Sequence, residues 1–306
     1  MYDAALYDLD GVLYLGGDPV PHAAESVAAA RALGLRAAYV TNNASRRPDV
    51  VAAHLTELGI PAEPHDVVTS AQAAARWLAE HVPTGSAVLV LGTEGLAEEV
   101  RAVGLRPVRT ADEAPVAVVQ GLAPETGWKD LAEAAVALRA GALWVAGNTD
   151  RTYPSPRGPL PGNGAMVAAL AAATGQVPVV VGKPEPALHR ESVERVRSRR
   201  PLVVGDRLDT DVLGAVRGGS DSLLVLTGVV DRAELLAAPA GMRPTYVSAD
   251  LRGLLRPHAP VELDGTRARC GTASAHWDGD GLVVQGEGDE ALRAACASSW
   301  ARADDA

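Results

Sequence analysis

Short apolar runs alternate along this chain with longer stretches in which apolar residues recur at helical spacing. The short runs are rich in Val, Leu and Ala, which is typical of strands buried on both faces of a sheet. They predict strands at residues 4–9, 35–40, 87–91, 116–119, 143–146, 177–181, 202–204 and 223–226. The longer stretches predict helices at residues 23–33, 48–58, 94–103 and 129–139. This alternation indicates an α/β protein with largely parallel sheets.

The C-terminal part of the chain breaks the alternation. The run Asp278-Gly279-Asp280-Gly281 predicts a tight turn between two strands, and residues 290–300 predict a helix. Upstream, residues 83–85 (Pro-Thr-Gly) have the composition of a linker between domains. Residues 153–164 form a long irregular segment rich in Pro and Gly, and such segments are often functional loops.

Composition and charge narrow the classes of function. Hydrophobic residues make up 47% and charged residues 22% of the 306 positions, which are the proportions of a soluble globular protein. The formal net charge is −10 at pH 7. This balance excludes nucleic acid and anionic membranes as partners, because no basic surface is available to displace their counterions. An anionic substrate must therefore be held by local groups.

The sequence also indicates a cellular compartment. No apolar run approaches the roughly 20 residues that cross a bilayer, and the N-terminus is acidic rather than basic. We therefore expect a cytoplasmic protein with no membrane contact. Its two cysteines, Cys270 and Cys296, are expected to be reduced thiols rather than a disulfide in that compartment.

Candidate chemistry first appears where the first predicted strand ends. Asp8 and Asp10 are two residues apart, so in extended backbone both side chains point to one face. Two such carboxylates can converge on a divalent cation or on a reacting phosphorus. The pattern D-x-D-G is weak by itself, because the glycine-dense turn at 278–281 repeats it. The first copy differs in following a buried strand, at the edge where open α/β sheets bind ligands.

Two other predicted strands end in groups that suit a phosphate. Thr41 and Asn42 offer a hydroxyl and amide groups, although this run alone is more typical of a helix cap or turn. Lys183 is one of only two lysines and follows the strand at 177–181. Its charge could offset the crowding of anions around a phosphate, and a solvated loop lysine is the equal alternative.

A fourth strand end carries three acids within six residues. Asp206 ends the strand at 202–204 and can reach a metal held by Asp8, while Asp211 can support that ligand from about one turn further on. Asp209 is expected to be solvated or to cap a helix. Taken alone, this segment is an acidic turn. Together the four strand ends supply a nucleophile with an acid/base partner, a phosphate clamp, a charge balancer and a metal ligand.

These motifs resemble those of the haloacid dehalogenase-like (HAD) hydrolases, specifically the NagD-like or 4-nitrophenylphosphatase subfamily. The matching runs are Asp8-Leu9-Asp10-Gly11-Val12-Leu13, Thr41-Asn42-Asn43, Lys183-Pro184-Glu185-Pro186 and Gly205-Asp206-Arg207-Leu208-Asp209-Thr210-Asp211. The resemblance covers about residues 3–256. It implies a Rossmann-like, doubly wound parallel-sheet core at 1–82 and 178–257, an inserted α/β cap domain at 83–177 and a small β-hairpin and helix extension at 258–306.

The resemblance also implies a role for each matching residue. Asp8 attacks phosphorus, and Asp10 protonates the leaving alcohol and then activates water to hydrolyse the aspartyl phosphate. The phosphoryl oxygens are bound by Thr41, the Asn42 amide and Lys183. A Mg²⁺ ion is held by Asp8, the main-chain carbonyl of Asp10 and Asp206, with Asp211 close by.

The implied substrate is a small phosphorylated metabolite, over which the cap closes to exclude water. The candidates for contacting its leaving group are Asn148, Asp150 and Arg151, with the alternative that Asp150 only braces its loop. A branch of the subfamily that acts on glycerol 3-phosphate carries a comparable C-terminal extension, which favours that substrate. Phosphoglycolate, pyridoxal phosphate and nucleotides are the alternatives.

Two questions stay open at the level of sequence. The extension could bind a ligand, cover the core, mediate dimerisation or only stabilise the fold, and the sequence admits a homodimer. The chain could also be a signalling protein that accepts a phosphoryl group on Asp without turnover. Asp10 and the cap-sized insertion argue against that second class, because a receiver domain has neither.

Overall fold

The computed structural model describes residues 2–153 and 157–305, which group into two compact units. The first unit contains the described residues up to Ala38, the segment Leu58–Ile60 and the described residues from Val196 onward. The second contains Tyr39–Glu57 and Pro61–Arg195. Residues 154–156 of the predicted irregular segment at 153–164 therefore lie outside the described residues.

The strands are β1 (Ala4–Tyr7), β2 (Tyr14–Leu15), β3 (Asp18–Pro19), β4 (Arg36–Thr41), β5 (Val67–Thr69), β6 (Ala87–Leu91), β7 (Arg106–Val108), β8 (Ala117–Gln120), β9 (Leu143–Ala146), β10 (Thr152–Tyr153), β11 (Leu160–Pro161), β12 (Val179–Val180), β13 (Pro201–Gly205), β14 (Asp221–Val225), β15 (Tyr246–Ser248), β16 (Val261–Asp264), β17 (Arg267–Cys270), β18 (Ala273–Asp278) and β19 (Gly281–Gln285). The helices are α1 (Ala23–Ala32), α2 (Pro48–Glu57), α3 (Ser70–His81), α4 (Glu94–Ala102), α5 (Trp128–Arg139), α6 (Asn163–Thr174), α7 (Pro186–Arg195), α8 (Leu213–Arg217), α9 (Arg232–Leu236) and α10 (Gly288–Asp304).

The largest sheet has six strands in the order β15-β14-β13-β1-β4-β5. Strand β1 pairs in parallel with β13, with Ala4 opposite Pro201 and Tyr7 opposite Val204. All four residues of β1 are buried, as expected for a strand covered on both faces. The predicted α/β class with parallel sheets is therefore confirmed.

A second parallel sheet lies within the second unit, in the order β12-β9-β8-β6-β7. Helices α5 and α6 contribute Leu138 and Leu170 to its core, where they join Leu89, Val118 and Trp144. Because β12 pairs with β9, residues 179–180 belong to this sheet. The division of the chain at 82/83, 177/178 and 257/258 stays a prediction.

The C-terminal segment is larger than predicted. The turn at 278–281 does join two strands, with Asp278 opposite Gly281, and the predicted helix is α10. Two further strands, β16 and β17, complete an antiparallel sheet in the order β16-β17-β18-β19. Small residues of this sheet and of α10 pack together in a buried cluster of Ala268, Cys270, Ala275, Ala294 and Ala295.

Five helices in the described part of the chain were not predicted from the sequence: α3, α6, α7, α8 and α9. Helix α6 shows why, because nearly every residue from Asn163 to Thr174 is small or apolar and no polar face marks the helical period. None of the helices in the described part of the chain is both long and apolar enough to cross a membrane.

Candidate active site

The first group of candidate residues follows strand β1. Asp8 extends that strand by one residue, since its N–H donates to the carbonyl of Val204 on β13 at 2.8 Å. The chain then turns: the N–H of Leu13 donates to the carbonyl of Leu9 at 2.9 Å. Asp10 lies on this turn and is exposed, whereas Asp8 is partly buried. The two acids thus follow the strand end as predicted.

Three carboxylates converge in the first unit. One side-chain oxygen from each of Asp8, Asp206 and Asp211 lies within 4.8 Å of the others. Asp206 and Asp211 are each only 1% exposed. Buried like charges at this spacing repel one another and need a compensating cation. Carboxylate oxygens are also the ligand type that Mg²⁺ prefers, so the residues present fit that metal.

Backbone N–H groups orient the two buried acids. Asp206 Oδ2 accepts a hydrogen bond from the N–H of Val229 at 2.7 Å. Asp211 Oδ2 accepts one from the N–H of Arg207 at 3.2 Å. The chain between them winds through one wide helical turn, Leu208–Val212, which turns Asp211 back toward Asp206. Such wide turns are frequent at functional sites.

Glycines make room for these carboxylates. A methyl group added at Gly11 or Gly228 would overlap the Asp206 carboxylate, and one added at Gly205 would overlap Asp211. Gly11 also has a φ of +83°, which side-chain-bearing residues rarely adopt. The close approach of backbone to carboxylate therefore depends on residues without a side chain.

Asp209 lies outside this group. Its carboxylate receives two hydrogen bonds from the Arg207 guanidinium, at 3.0 and 2.8 Å. These bonds lower the pKa of Asp209, against the opposing effect of partial burial. Asp209 thus forms a surface ion pair with Arg207.

The phosphate-binding candidates lie in the second unit. Thr41 ends β4, is 5% exposed, and its Oγ1 accepts the N–H of Asn43 at 3.1 Å. Asn43 Oδ1 in turn accepts the N–H groups of Ser45 and Arg46, at 2.7 and 3.1 Å. This is the local turn that the sequence allowed as the alternative, and it places the Thr41 hydroxyl at the strand end.

Lys183 lies against the end of the same strand. Its Nζ donates to the carbonyl of Val40 at 3.4 Å, and the residue is only partly exposed. The side chain of Asn42 holds its backbone: Oδ1 accepts the Lys183 N–H at 2.7 Å, and Nδ2 donates to the Lys183 carbonyl at 3.0 Å. These contacts disfavour the alternative of a solvated loop lysine.

The cap candidates differ from one another. Asn148 is 5% exposed, and both polar groups of its side chain are hydrogen-bonded within the protein. Nδ2 donates to the Asn42 carbonyl at 2.7 Å, and Oδ1 accepts the Asp150 N–H at 3.1 Å. Asp150 receives a long hydrogen bond of 3.4 Å from Asn42 Nδ2, in keeping with bracing of its loop. Arg151 is exposed.

Two residues of this region were missed in the sequence. Ser70 donates its hydroxyl to the Asn42 carbonyl at 2.6 Å, and Asn163 Nδ2 donates to the Asn148 carbonyl at 2.7 Å. Both are buried polar residues at the first position of a helix. An Asn or Ser at a helix start is so common that it carries no signal of its own.

Comparison with known families agrees with the geometry. A family model described as haloacid dehalogenase-like hydrolase matches residues 5–106, and a second described as HAD-hydrolase-like matches residues 180–254. The D-glycerol 3-phosphate phosphatase of Mycobacterium tuberculosis is 50% identical over 313 residues, which cover 99% of this chain and 88% of that protein. The chain belongs to the haloacid dehalogenase-like hydrolases.

Other members of the family extend this likeness. The acid sugar phosphatase of Staphylococcus saprophyticus is 37% identical over 83% of this HAD hydrolase and 97% of its own length. A crystal structure of glycerol phosphate phosphatase from M. tuberculosis in complex with magnesium has a TM-score of 0.85 at 49% identity, covering 98% of this chain and 90% of that one. The p-nitrophenyl phosphatase of Archaeoglobus fulgidus has a TM-score of 0.76 at 32% identity, covering 82% and 97%.

Proposed function

We propose that this HAD hydrolase is a Mg²⁺-dependent phosphatase that hydrolyses a small phosphomonoester through a phosphoaspartyl intermediate on Asp8. The observation that carries the proposal is the convergence of one carboxylate oxygen from each of Asp8, Asp206 and Asp211 within 4.8 Å, where the adjacent parallel strands β1 and β13 end. This edge of an α/β sheet is where such folds bind ligands. The phosphatase names of the relatives support the same activity.

Asp8 and Asp10 divide the chemistry between them. An Asp8 oxygen forms a bond to phosphorus while the bond from phosphorus to the substrate alcohol breaks, and Asp10 gives its proton to the departing oxygen. In the second half, Asp10 takes a proton from water as that water attacks phosphorus. Inorganic phosphate leaves and the Asp8 carboxylate is restored.

The metal site acts in both halves of the reaction, formation and hydrolysis of the aspartyl phosphate. We propose that Mg²⁺ is held by Asp8, the main-chain carbonyl of Asp10 and Asp206, with Asp211 supporting the site. Bound there, the ion neutralises part of the charge that builds up on the phosphoryl oxygens. Backbone N–H groups orient both buried acids, and this pre-organisation lowers the cost of assembling the site.

The phosphoryl oxygens are assigned to Thr41, Asn42 and Lys183. Because the Asn42 side chain is bonded to the backbone of Lys183, we assign the phosphate contact of Asn42 to its main-chain amide. The resemblance of the Thr41 and Lys183 motifs to those of the family supports this assignment. For the leaving group we propose Asp150 and Arg151, with residues 83–177 as the cap that carries them.

Glycerol 3-phosphate is the proposed substrate. The relative named for that activity matches 99% of this chain, and so includes the C-terminal extension. An acid sugar phosphatase at 37% identity makes sugar phosphates the second candidate. We propose that the reaction takes place in the cytoplasm. A homodimer is compatible with this function.

The substrate is tested by kcat/KM with Mg²⁺ over a panel of phosphomonoesters. The panel contains both enantiomers of glycerol 3-phosphate, a sugar phosphate, phosphoglycolate, pyridoxal phosphate and a nucleoside monophosphate. The proposal expects the highest value for glycerol 3-phosphate. A clear preference for an aromatic or nucleotide ester would overturn the substrate and leave the phosphatase chemistry standing.

A further inference from the structure

The side chain of Asn42 binds Lys183 as a neighbouring strand would. Its Oδ1 accepts the Lys183 N–H at 2.7 Å and its Nδ2 donates to the Lys183 carbonyl at 3.0 Å. One amide thus satisfies both backbone groups of the residue that carries the candidate phosphate-binding ammonium. Two hydrogen bonds from one side chain fix direction as well as distance, so the Lys183 Cα has little freedom relative to Asn42.

Asn42 is itself held from behind. Its carbonyl accepts hydrogen bonds from Ser70 Oγ at 2.6 Å and from Asn148 Nδ2 at 2.7 Å. The Asn148 carbonyl accepts one from Asn163 Nδ2 at 2.7 Å. Ser70, Asn148 and Asn163 are each 5% exposed or less, so these bonds are shielded from water and are costly to break.

The packing leaves no slack around this network. A methyl group added at Gly182 would lie 2.7 Å from Asn42 Oδ1 and would overlap the Gly147 carbonyl. One added at Gly147 would lie 3.1 Å from Ser70 Oγ. The backbone at Gly182 therefore packs closely against the Asn42 side chain, and the backbone at Gly147 against Ser70, which holds the Asn42 carbonyl.

We infer that Asn42, Asn148 and Asn163, here called the asparagine chain, are positioning residues that set the place of the Lys183 ammonium for phosphate binding. The inference rests on the proposed function, in which Lys183 binds the phosphoryl group. It gives Asn148 a different role from contact with the leaving group. It also gives Asn163, the first residue of α6, a part in phosphate binding. Asn163 is connected to Lys183 by hydrogen bonds through Asn148 and Asn42.

A double-mutant cycle tests the link between Asn42 and Lys183. The four proteins are wild type, Asn42→Ala, Lys183→Ala and the double variant, and the readouts are kcat/KM and the inhibition constant for inorganic phosphate. Misplacement of Lys183 predicts that Asn42→Ala lowers kcat/KM by about 10- to 100-fold in the wild-type background. In the Lys183→Ala background the same change has almost no effect, because the group it positions is gone.

A loss of equal size in both backgrounds would overturn the inference, since Asn42 would then act on the fold or on the substrate by itself. If Lys183→Ala leaves too little turnover to measure, calorimetric binding of inorganic phosphate to the same four proteins gives the coupling. Absence of turnover in the wild type would instead count against the proposed function. The two failures are thus distinguished.

The far end of the asparagine chain has its own test. Asn163→Ala removes the hydrogen bond to the Asn148 carbonyl. It is expected to lower the affinity for inorganic phosphate by about three- to tenfold, the effect of one buried hydrogen bond. The control is Gln176→Ala, which removes a similar amide bond to the Leu138 carbonyl, 2.9 Å long, in the same unit. Equal effects of the two variants on phosphate affinity would contradict a specific role for Asn163.

Discussion

Buried charge is the central physical fact at the scale of the residue. Asp206 and Asp211 are almost completely removed from water and share their surroundings with Asp8. An arrangement of this kind destabilises the fold unless a cation balances it. The destabilisation is consistent with a site built for Mg²⁺, because the ion gains affinity from the repulsion that its binding relieves.

The space for the Asp206 carboxylate can be tested through Gly228. Gly228→Ala would push a methyl group into that carboxylate, so Mg²⁺ affinity measured by calorimetry is expected to fall by about tenfold or more, in line with the loss of a ligand-orienting contact. Gly17→Ala is the matched control, because no atom lies within 4 Å of the added methyl group. Unchanged Mg²⁺ affinity in Gly228→Ala would show that Asp206 does not hold the metal.

The division of labour between Asp8 and Asp10 gives a second prediction. Asp8→Asn removes the nucleophile and is expected to abolish turnover. Asp10→Asn removes the proton donor and should lower kcat by about 10²- to 10⁴-fold. Both substitutions keep the size of the side chain, so far-UV circular dichroism should stay close to wild type and neither variant should unfold at a lower denaturant concentration than wild type. Substantial activity in either folded variant would contradict the mechanism.

Position in the fold, rather than motif, distinguishes Asp8 and Asp10 from the second copy of their pattern. The pair Asp278 and Asp280 repeats the spacing of Asp8 and Asp10, yet it forms the tip of the hairpin between β18 and β19. Only the first pair follows a buried strand. The asparagine chain was beyond sequence reasoning, because Asn163 and Asn148 meet through tertiary hydrogen bonds that no local pattern encodes.

At the scale of the element, α10 packs the C-terminal extension against the rest of the first unit. Leu292 and Cys296 join a buried cluster with Leu208, Val212 and Leu235. The indole N–H of Trp300 donates to the Leu235 carbonyl at 3.0 Å. The extension therefore completes a core that also contains the wide turn Leu208–Val212, which carries Asp211. This favours a stabilising role for the extension.

That role predicts a stability effect at Leu292. Leu292→Ala leaves a cavity in the cluster and is expected to lower the free energy of unfolding by about 2–5 kcal/mol. Leu33→Ala is the control, since Leu33 is 69% exposed and its loss should change stability by no more than about 0.5 kcal/mol. Denaturant titration of the two variants measures the difference. Equal stabilities would show that α10 does not support the core.

Burial of α10 also determines the chemistry of its cysteine. Burial raises the pKa of Cys296 to about 12, so at pH 8 only about one thiol in 10⁴ is ionised. We expect iodoacetamide to leave Cys296 unmodified in the native protein and to label it after unfolding, as measured by mass spectrometry. Above its unfolded pKa the thiol opposes folding, so labelling should increase as the pH rises past about 9. Rapid labelling of the native protein at pH 8 would contradict this burial.

The same scale shows why some elements were predictable and others were not. Strands such as β6 and β9 were predicted because their apolar runs end abruptly at Gly92 and Gly147. Helix α6 was missed because its composition has no polar face, and β16 and β17 because each has only four residues, two of them charged, and contains no apolar run. Local pattern identified strands that have a continuous apolar run and helices that have one apolar and one polar face.

At the scale of the whole molecule, the net charge of −10 opposes an anionic substrate. Two local features offset this repulsion: the candidate metal site in the first unit, and Lys183, one of the chain's two lysines, in the second. The parallel-sheet fold and the family could be predicted from four short motifs. The substrate could not, because the proposed leaving-group contacts, Asp150 and Arg151, belong to no motif that specifies one.

The central claim is that Asp8 is phosphorylated and then hydrolysed in a Mg²⁺-dependent cycle. The most direct measurement is the release of inorganic phosphate from a generic phosphomonoester, followed past one equivalent per protein chain with Mg²⁺ and again with a chelator. The account predicts many turnovers with Mg²⁺ and none with the chelator. Release of one equivalent of the alcohol without inorganic phosphate, the phosphoryl group remaining on Asp8, would contradict it and indicate a phosphoryl-accepting signalling protein.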